Sequence, residues 1–483
     1  MKWLAWLLPV VLVAGCKIGP NHKVPVMATD VAWAGSAEEL FNAAPPETIE
    51  TWWVDLDDPV LTDLIERSFE SNLDLATAFE NVRLVAAIRG RAFGELFPDL
   101  DGTGAYSRER RGANDFPALP DAEEFDSYAL GVQFGWELDV WGRVRRLVES
   151  ADADLAASVE DLRDVRVLLA AEVATQYVSL RTAQQRRVVA ERNIEIQTQS
   201  LELTRRRADA GAAPQLDVAQ AETNLANTES ELPGIDAEIR DRLLRLAVLL
   251  GEKPTALLEE LAEPTPIPGV PDEIAVGIPA DVIRRRPDIR SAERTLAAET
   301  ARIGVEIGDL LPRFTLNGSF QYSSTSSSSL FDSDSAGFGV GPGFSWNLFD
   351  FGRESSDIRA QEAVAEIAVL GYRSTVLSAI EEVESALFRH ARQLEQTEAL
   401  DRAARFAGQS ADLSRQLYLE GRTDFQNVLD SERELFAAED NLIRSRSEVT
   451  TTYITLQRAL GGGWSPPPAG EDAHDAPDTP PAD

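Results

Sequence analysis

The chain is short of the residues that most often carry chemistry. Its 483 residues include one cysteine, three histidines and two methionines, and 46 basic residues stand against 81 acidic ones for a net charge of -35. One cysteine excludes a disulfide framework, and with His22, His390 and His474 scattered along the chain it leaves no Cys/His zinc site. The cation deficit argues against nucleic acid as a partner, because binding it depends on neutralising phosphates. Beyond the N-terminus there is no run of about 18 apolar residues, so no helix is expected to cross a bilayer. Neither catalysis nor a cofactor is expected: no histidine has a catalytic partner in view, and the glycine-rich stretch 337–343 lacks dinucleotide spacing and lies in a strand pattern.

What is present begins with an address. Lys2 and the short apolar run Trp3 to Val13 have the form of a secretory signal, which predicts a signal peptide over 1–15. Val13-Ala14-Gly15-Cys16 then resembles the lipobox of bacterial lipoproteins, in which Cys16 becomes the lipidated first residue of the mature chain. Lys rather than Asp at position 17 resembles the outer-membrane members of that group. Segment 16–57 is therefore read as a lipidated N-terminal segment.

The remainder is one unit written twice. Trp136-Glu-Leu-Asp-Val-Trp-Gly-Arg143 recurs as Trp346-Asn-Leu-Phe-Asp-Phe-Gly-Arg353, a displacement of 210 that also carries Gly211 to Gly421 and Gly251 to Gly461. Upstream the displacement is 214, from Asp74 to Asp288 and from Pro98 to Pro312. Repeat 1 spans 58–254 and repeat 2 spans 287–464, with a linker over 255–286. Each repeat reads as a helix (58–95 and 287–310), two strands, and two long helices. The proline-free runs from Pro120 to Pro214 and from Pro342 to Pro466 permit helices over 143–210, 353–420 and 424–460, the first on the order of 100 Å long at about 1.5 Å per residue. The remaining helix, 214–250, carries Pro233, near which a kink or break is expected. Val218, Leu225, Leu232, Ile239 and Leu246, with their equivalents Val428, Leu435, Leu442, Val449 and Leu456, keep a seven-residue spacing that predicts a left-handed coiled coil.

Between the helices the apolar period falls to two. Tyr128 to Leu138 and Phe338 to Leu348 each alternate large apolar residues with glycine and polar residues, as does Phe314 to Tyr322; Leu100 to Tyr106 is a weaker version. Strands are expected over 99–108, 128–140, 313–323 and 337–349, each close to the roughly 10 residues that a tilted membrane strand needs. Four strands cannot close alone in a membrane, where free edges are not tolerated and barrels start at about eight strands. Other copies must complete them.

At this point the residues resemble the outer-membrane factors of tripartite efflux pumps, specifically the NodT-type outer-membrane efflux lipoproteins. Cys16-Lys-Ile-Gly-Pro-Asn looks like that family's post-lipidation motif, Trp52-Trp53 and Asn72-Leu-Asp-Leu75 like its first helix, and Arg285-Arg-Pro-Asp-Ile-Arg290 like its signature. The resemblance implies a mixed α and β homotrimer, with a twelve-stranded outer-membrane β-barrel continued by a long twelve-helix coiled-coil α-barrel in the periplasm. Its implied partners are outer-membrane lipid, a periplasmic adaptor (membrane fusion protein) and an inner-membrane transporter of the resistance-nodulation-division type. The implied function is a passive exit duct for small molecules such as drugs. It also implies adaptor contacts at the turns Gly211-Ala-Ala-Pro214 and Gly421-Arg-Thr-Asp424. A periplasmic gate would use Tyr418 and Asp430; the other acidic position of the family is Asn427 here, and its repeat-1 equivalent Asp217 is the alternative source of charge. Type I protein secretion is the nearest alternative, and a lipid-anchored periplasmic coiled-coil scaffold the next. The proline-rich end, 465–483, reads as a disordered tail.

Overall fold

In the computed structural model of the chain, residues 17–27, 33, 41–42, 49–110 and 124–465 are described. The signal peptide, Cys16, the loop 111–123 and nearly all of the proline-rich tail lie outside the described residues. In chain order come β1 (Phe41–Asn42), a 3-10 turn (Ile49–Leu56), α1 (Pro59–Ser71), α2 (Leu73–Gly94), β2 (Asp99–Arg110), β3 (Glu124–Leu138), α3 (Arg143–Asp209), α4 (Gln215–Glu229) and α5 (Leu232–Leu249). Repeat 2 follows with β4 (Ile274–Ala275), α6 (Pro279–Arg285), α7 (Pro287–Asp309), β5 (Arg313–Ser324), β6 (Ala336–Ser345), α8 (Arg353–Leu419) and α9 (Phe425–Ala459). Two compact units result, one from residues 1–26, 81–158 and 291–372, the other from 27–80, 159–290 and 373–483.

The first unit holds a four-stranded antiparallel sheet in the order β2-β3-β5-β6. Opposed residues in such a sheet share a face, and the register puts like with like. Tyr106, Tyr128, Leu130, Val132, Trp136, Phe314, Phe320, Phe338 and Phe344 fall on one face; Asp99, Asp101, Gln133, Asn317, Ser319 and the glycines 337, 339, 341 and 343 fall on the other. Among the described residues β2 and β6 each have one unpaired edge. Both hairpins turn into the following helix at a tryptophan. The Trp136 indole donates to the Leu96 carbonyl at 3.0 Å, and its equivalent Trp346 donates to the equivalent Leu310 carbonyl at 3.2 Å.

The strands differ in extent from the sequence expectation. β3 begins at Glu124 rather than 128 and ends at Leu138; β6 ends at Ser345, four residues before 349, and among the described residues Trp346 to Phe349 have no strand beside them.

The second unit contains the main core, in which Trp52, Trp53, Leu61, Leu64, Ile65, Tyr177, Leu180, Leu246, Leu387, Tyr453 and Leu456 are buried together. The single helix expected over 58–95 is two helices, α1 and α2, broken at Asn72. Asn72 is extended (φ -67°, ψ 131°), and its side-chain oxygen caps the next helix by accepting from the amides of Asp74 and Leu75 at 2.8 and 2.9 Å. Repeat 2 breaks at the equivalent Arg286, which Pro287 forces to an extended conformation. So α6 is the counterpart of α1, and the expected linker 255–286 is partly repeat 2, with β4 pairing in parallel with β1. The helix expected over 214–250 breaks at Ser230–Glu231, with Pro233 in the first turn of α5 where its missing N–H costs nothing. Of the heptad positions, Val218, Leu246, Val428, Leu435, Val449 and Leu456 are buried.

Candidate functional site

Two places have the composition of a working surface, the sheet and the helical hairpin turns. On the polar face of the sheet Asp99 and Asp101 line a concavity with Gln133, Asn317 and Ser319 over the bare backbone of Gly339, Gly341 and Gly343. On the β6 side of this face positions 337, 339, 341 and 343 are all glycine. The opposite face presents Leu100, Phe338, Val340 and Phe344 exposed in the single chain, the distribution a strand needs between lipid and water.

The two turns are built identically. At Gly211 (φ 74°) the amides of 211 and 212 donate to the carbonyls of Ala208 and Arg207; at Gly421 (φ 69°) those of 421 and 422 donate to Tyr418 and Leu417, all displaced by 210. This is a Schellman close, and the positive φ is why glycine stands at both positions. The turns meet over a small core of Leu201, Val218, Ala221, Tyr418, Phe425, Val428 and Leu429. Tyr418 lies inside that core. It is buried against Phe425 (ring centroids 5.3 Å), and the Arg207 guanidinium covers its ring at 4.4 Å while donating to its carbonyl at 2.6 Å.

Asp217 and Asp424 line one cavity of about 390 Å³ between the turns, together with Arg207, Pro214 and Tyr418. Burial and the nearby Asp424 raise the Asp217 carboxyl above its ordinary range, with Arg207 opposing. Asn427 and Asp430 are instead exposed. Asn427 donates to the Thr423 hydroxyl at 2.7 Å; Asp430 accepts from the Gln426 side chain at 2.9 Å and lies 3.8 Å from Arg433. The structure thus joins Asp217, Asp424 and Tyr418 in one place and leaves Asn427 and Asp430 exposed outside that cavity. Arg207 was not legible in the sequence as a tip residue; its only signal is the run Arg205 to Arg207 ahead of Gly211.

Although Cys16 is outside the described residues, the segment that follows it is firmly held in the first unit. The buried Arg146 donates to the carbonyls of Ile18 (2.7 Å) and Gly19 (3.0 Å) and to the Asn21 side chain (2.8 Å), while Lys17 and Arg146 share Glu149. Gly19 (φ 86°) passes so close to Gly304 that a Cβ on it would lie 2.5 Å from the Gly304 Cα. Residues 17–21 therefore have a structural role that their sequence motif alone does not reveal.

The Arg-Arg-Pro-Asp signature is explained by packing. Arg286 forks onto both Asp288 carboxylate oxygens (3.0 and 2.7 Å) and donates to Glu382 (2.7 Å) and to the Ala459 carbonyl (3.0 Å). Arg290 and Arg163 share Glu160 and both cover the Trp464 ring. In repeat 1 the equivalent Asn72 donates to the Leu249 carbonyl at 2.8 Å, the equivalent of Ala459. Beside this cluster burial pushes the Asp164 carboxyl up to about 6, with Asp288 adding repulsion. Between about pH 4 and 6 Asp164 holds its proton only in the folded chain, so stability falls as pH rises through that window. Asp164→Asn is expected to add about 1–3 kcal/mol at pH 7 and to flatten that fall in a pH series of unfolding midpoints; an unaltered profile would sink the assignment. His390 is a core residue: it is buried between Phe41 and Tyr453, its Nδ1 2.9 Å from the Thr452 hydroxyl, and burial lowers its pKa to about 4.

A two-faced sheet in one unit and long helical hairpins in the other are parts of the kind that channel proteins use. The chain belongs to the outer membrane efflux protein family, whose profile matches residues 64–252 and 278–462, one match for each repeat. Nodulation protein T of Rhizobium leguminosarum bv. trifolii is 31% identical over 456 residues, covering 94% of this chain and 96% of that protein. The toluene efflux pump outer membrane protein TtgI of Pseudomonas putida is 29% identical over 472 residues, with 95% and 98% covered. Among solved structures the outer-membrane channel OprN matches with a TM-score of 0.87 at 35% identity, covering 93% of this chain and all of that one. The CmeC outer membrane channel of Campylobacter jejuni, at 21% identity and a TM-score of 0.88, shares the fold over 95% of this chain and 96% of its own. The protein is an outer-membrane channel component of an efflux system, in a family of ducts and not of enzymes.

Proposed function

We propose that three copies form a passive exit duct, with a twelve-stranded barrel in the outer membrane and a twelve-helix tunnel in the periplasm. The observation that carries this is the sheet: four membrane-length strands with one apolar face, one glycine-lined polar face and two unpaired edges. An open edge is not tolerated in lipid, and two copies would give an eight-stranded barrel filled by its own side chains, whereas three leave a passage. The long helix α8 supports the same reading. It has a stretch long and apolar enough by composition to cross a membrane, yet mostly unburied in the single chain, with Val364, Ile367, Leu370 and Leu377 exposed. With strands serving as the membrane segment, that surface belongs to contacts between helices of neighbouring copies.

Cys16 carries lipid in this reading and anchors the chain to the outer membrane. The turns at Gly211–Pro214 and Gly421–Asp424 receive a periplasmic adaptor, which couples the duct to an inner-membrane transporter of the resistance-nodulation-division type; small molecules, drugs among them, are the cargo. The relatives named for efflux favour this over protein secretion. The duct itself needs no fuel, and its selectivity is electrostatic: three copies of Asp99, Asp101 and Asp430 would make it cation-favouring.

At the tip, the exposed Asp430 is placed to bond a neighbouring helix in the closed state. Asp430→Ala is expected to raise single-channel conductance in planar bilayers at unchanged trimer yield. Unaltered conductance would remove Asp430 from the gate.

A further inference from the structure

On the apolar face of the sheet no charged residue stands between Leu100 and Tyr106, Tyr128 and Leu138, Phe314 and Tyr322, or Ala336 and Phe344. The aromatic residues that carry a polar group sit at the ends of this band. Trp136 and its equivalent Trp346 mark the end next to the helices, where their indoles donate to the Leu96 and Leu310 carbonyls. Tyr128 stands eight residues from Trp136 along β3, and Tyr322 eight residues from Phe314 along β5. Such a stretch is about 26 Å of strand, or about 20 Å of depth at a tilt of about 40°, close to the apolar band of a membrane barrel. The tyrosines therefore stand where a barrel carries its second aromatic girdle.

The repeat then gives the depth of two arginines. β2 becomes β5 under the displacement of 214, so Arg108 is the equivalent of Tyr322 and Arg110 that of Ser324. Both belong to the apolar face, since Arg108 opposite Asp126 and Arg110 opposite Glu124 keep the parity of Tyr106 opposite Tyr128. An arginine thus occupies a girdle position on that face, and a second follows about 7 Å further out. At such a depth the stem runs along apolar surface while the guanidinium reaches the lipid head groups. Neither guanidinium is committed. Arg108 meets Glu124 at 3.1 Å, but the two side chains are 66% and 50% exposed, and a pair so solvated adds little. Among the described residues the Arg110 side chain has no hydrogen bond or ion pair, and Asp126 is held by the Tyr106 hydroxyl, which donates to it at 3.1 Å. The four charges cancel, so the patch exerts little pull at a distance. What it offers is two adjacent forks of N–H donors, which a phosphate satisfies on contact.

The turn between β5 and β6 adds an apolar contact at the same end. The Ser324 and Ser329 hydroxyls lie 2.7 Å apart, and the Ser335 hydroxyl donates to the Ser329 carbonyl at 2.7 Å. So folded, the turn lays Phe331 edge-on against Tyr322 (ring centroids 5.6 Å) while leaving it 68% exposed. A bare phenyl ring beside the girdle suits acyl chains and not water. We propose that this rim binds a phosphorylated lipid of the outer leaflet, with its phosphate on Arg108 and Arg110 and its acyl chains along the exposed Tyr106, Leu130 and Val132. This rests on the lipid-facing reading of the apolar face given above and adds the head group that the face selects. The occupant is a membrane lipid and not free phosphate, because the two arginines share a face with the apolar band and not with Asp99 and Asp101.

Native mass spectrometry of the full-length protein, extracted from the outer membrane in mild detergent and freed of bound lipid, reads this with lipid A as the probe, with and without EDTA. Arg108→Gln with Arg110→Gln is expected to weaken the binding of diphosphorylated lipid A at least fivefold and to leave that of the dephosphorylated form unchanged. Arg108→Lys with Arg110→Lys should keep more of the phosphate-dependent binding than the glutamine pair, since the charge remains and only the fork is lost. Equal affinity of the unaltered protein for the two forms, or undiminished binding by the glutamine pair, overturns the arginine clamp and leaves the lipid-facing reading standing. Binding that EDTA abolishes and the glutamine pair keeps would place the phosphate on a divalent cation held by Glu124 and Asp126, which overturns the clamp as well. No binding of either form by a protein whose circular dichroism shows it folded overturns both.

Discussion

Arg286→Ala is expected to destabilise the second unit by about 3 kcal/mol, the low end of the range for breaking a buried ion pair, because one of the partners left behind is half exposed. The guanidinium satisfies Asp288, Glu382 and the Ala459 carbonyl at once. Its removal leaves two carboxylates beside Asp164, whose proton affinity burial has already raised. Arg286→Lys should recover only part of the loss, since a lysine supplies the charge without the two-pronged geometry that Asp288 accepts. Tryptophan fluorescence during denaturation checks this, because Trp52, Trp53 and Trp464 are all buried in that unit. An Arg286→Ala midpoint equal to that of the unaltered protein would show that the signature is not held together as described.

The second large effect separates glycines that the sequence presents as alike. Gly211 and Gly251 both close a helix with positive φ, 74° and 68°. At Gly211 a Cβ would meet nothing within 4 Å, so Gly211→Ala should cost only the backbone preference, about 1–2 kcal/mol. At Gly251 the Cβ would lie 2.1 Å from the Ser71 carbonyl oxygen, in a place where the Ser71 hydroxyl also donates to the Leu250 carbonyl at 2.5 Å. Gly251→Ala must push α1 away from the end of α5, which adds about 1–3 kcal/mol of overpacking to the same backbone cost. Comparing the two variants by unfolding midpoint isolates the contact, and equal shifts would refute it.

Those two glycines show where sequence reading stops. The 210-residue displacement picks both out as helix ends, since a closing glycine is a local requirement of φ. Which of them is also a packing position depends on a segment about 180 residues away. The same holds at the turns. Gly211 and Gly421 are legible as turn glycines, but Tyr418 sits inside a core under Arg207 because α3 and α8 end side by side, and nothing near Tyr418 in the chain says so. Asn72 and Arg286 are the sharpest case: one is a neutral amide and the other a cation, yet both donate to the carbonyl at the same position of the returning helix.

The sequence by itself determined everything that follows from period and repetition. Strand parity, proline-free helical runs, two copies with fixed displacements and the excess of acidic residues are properties of neighbours along the chain or of the chain compared with itself. It also pointed to strands as the membrane segment, through their alternation and their length of about 10 residues. The tertiary structure alone decided where helices break, which glycines are pressed against a neighbour, what holds the segment after Cys16, and how far each strand extends. These depend on contacts between segments far apart in the chain, and hydrogen bonds and steric limits act over a few ångströms of space, whatever the separation in sequence.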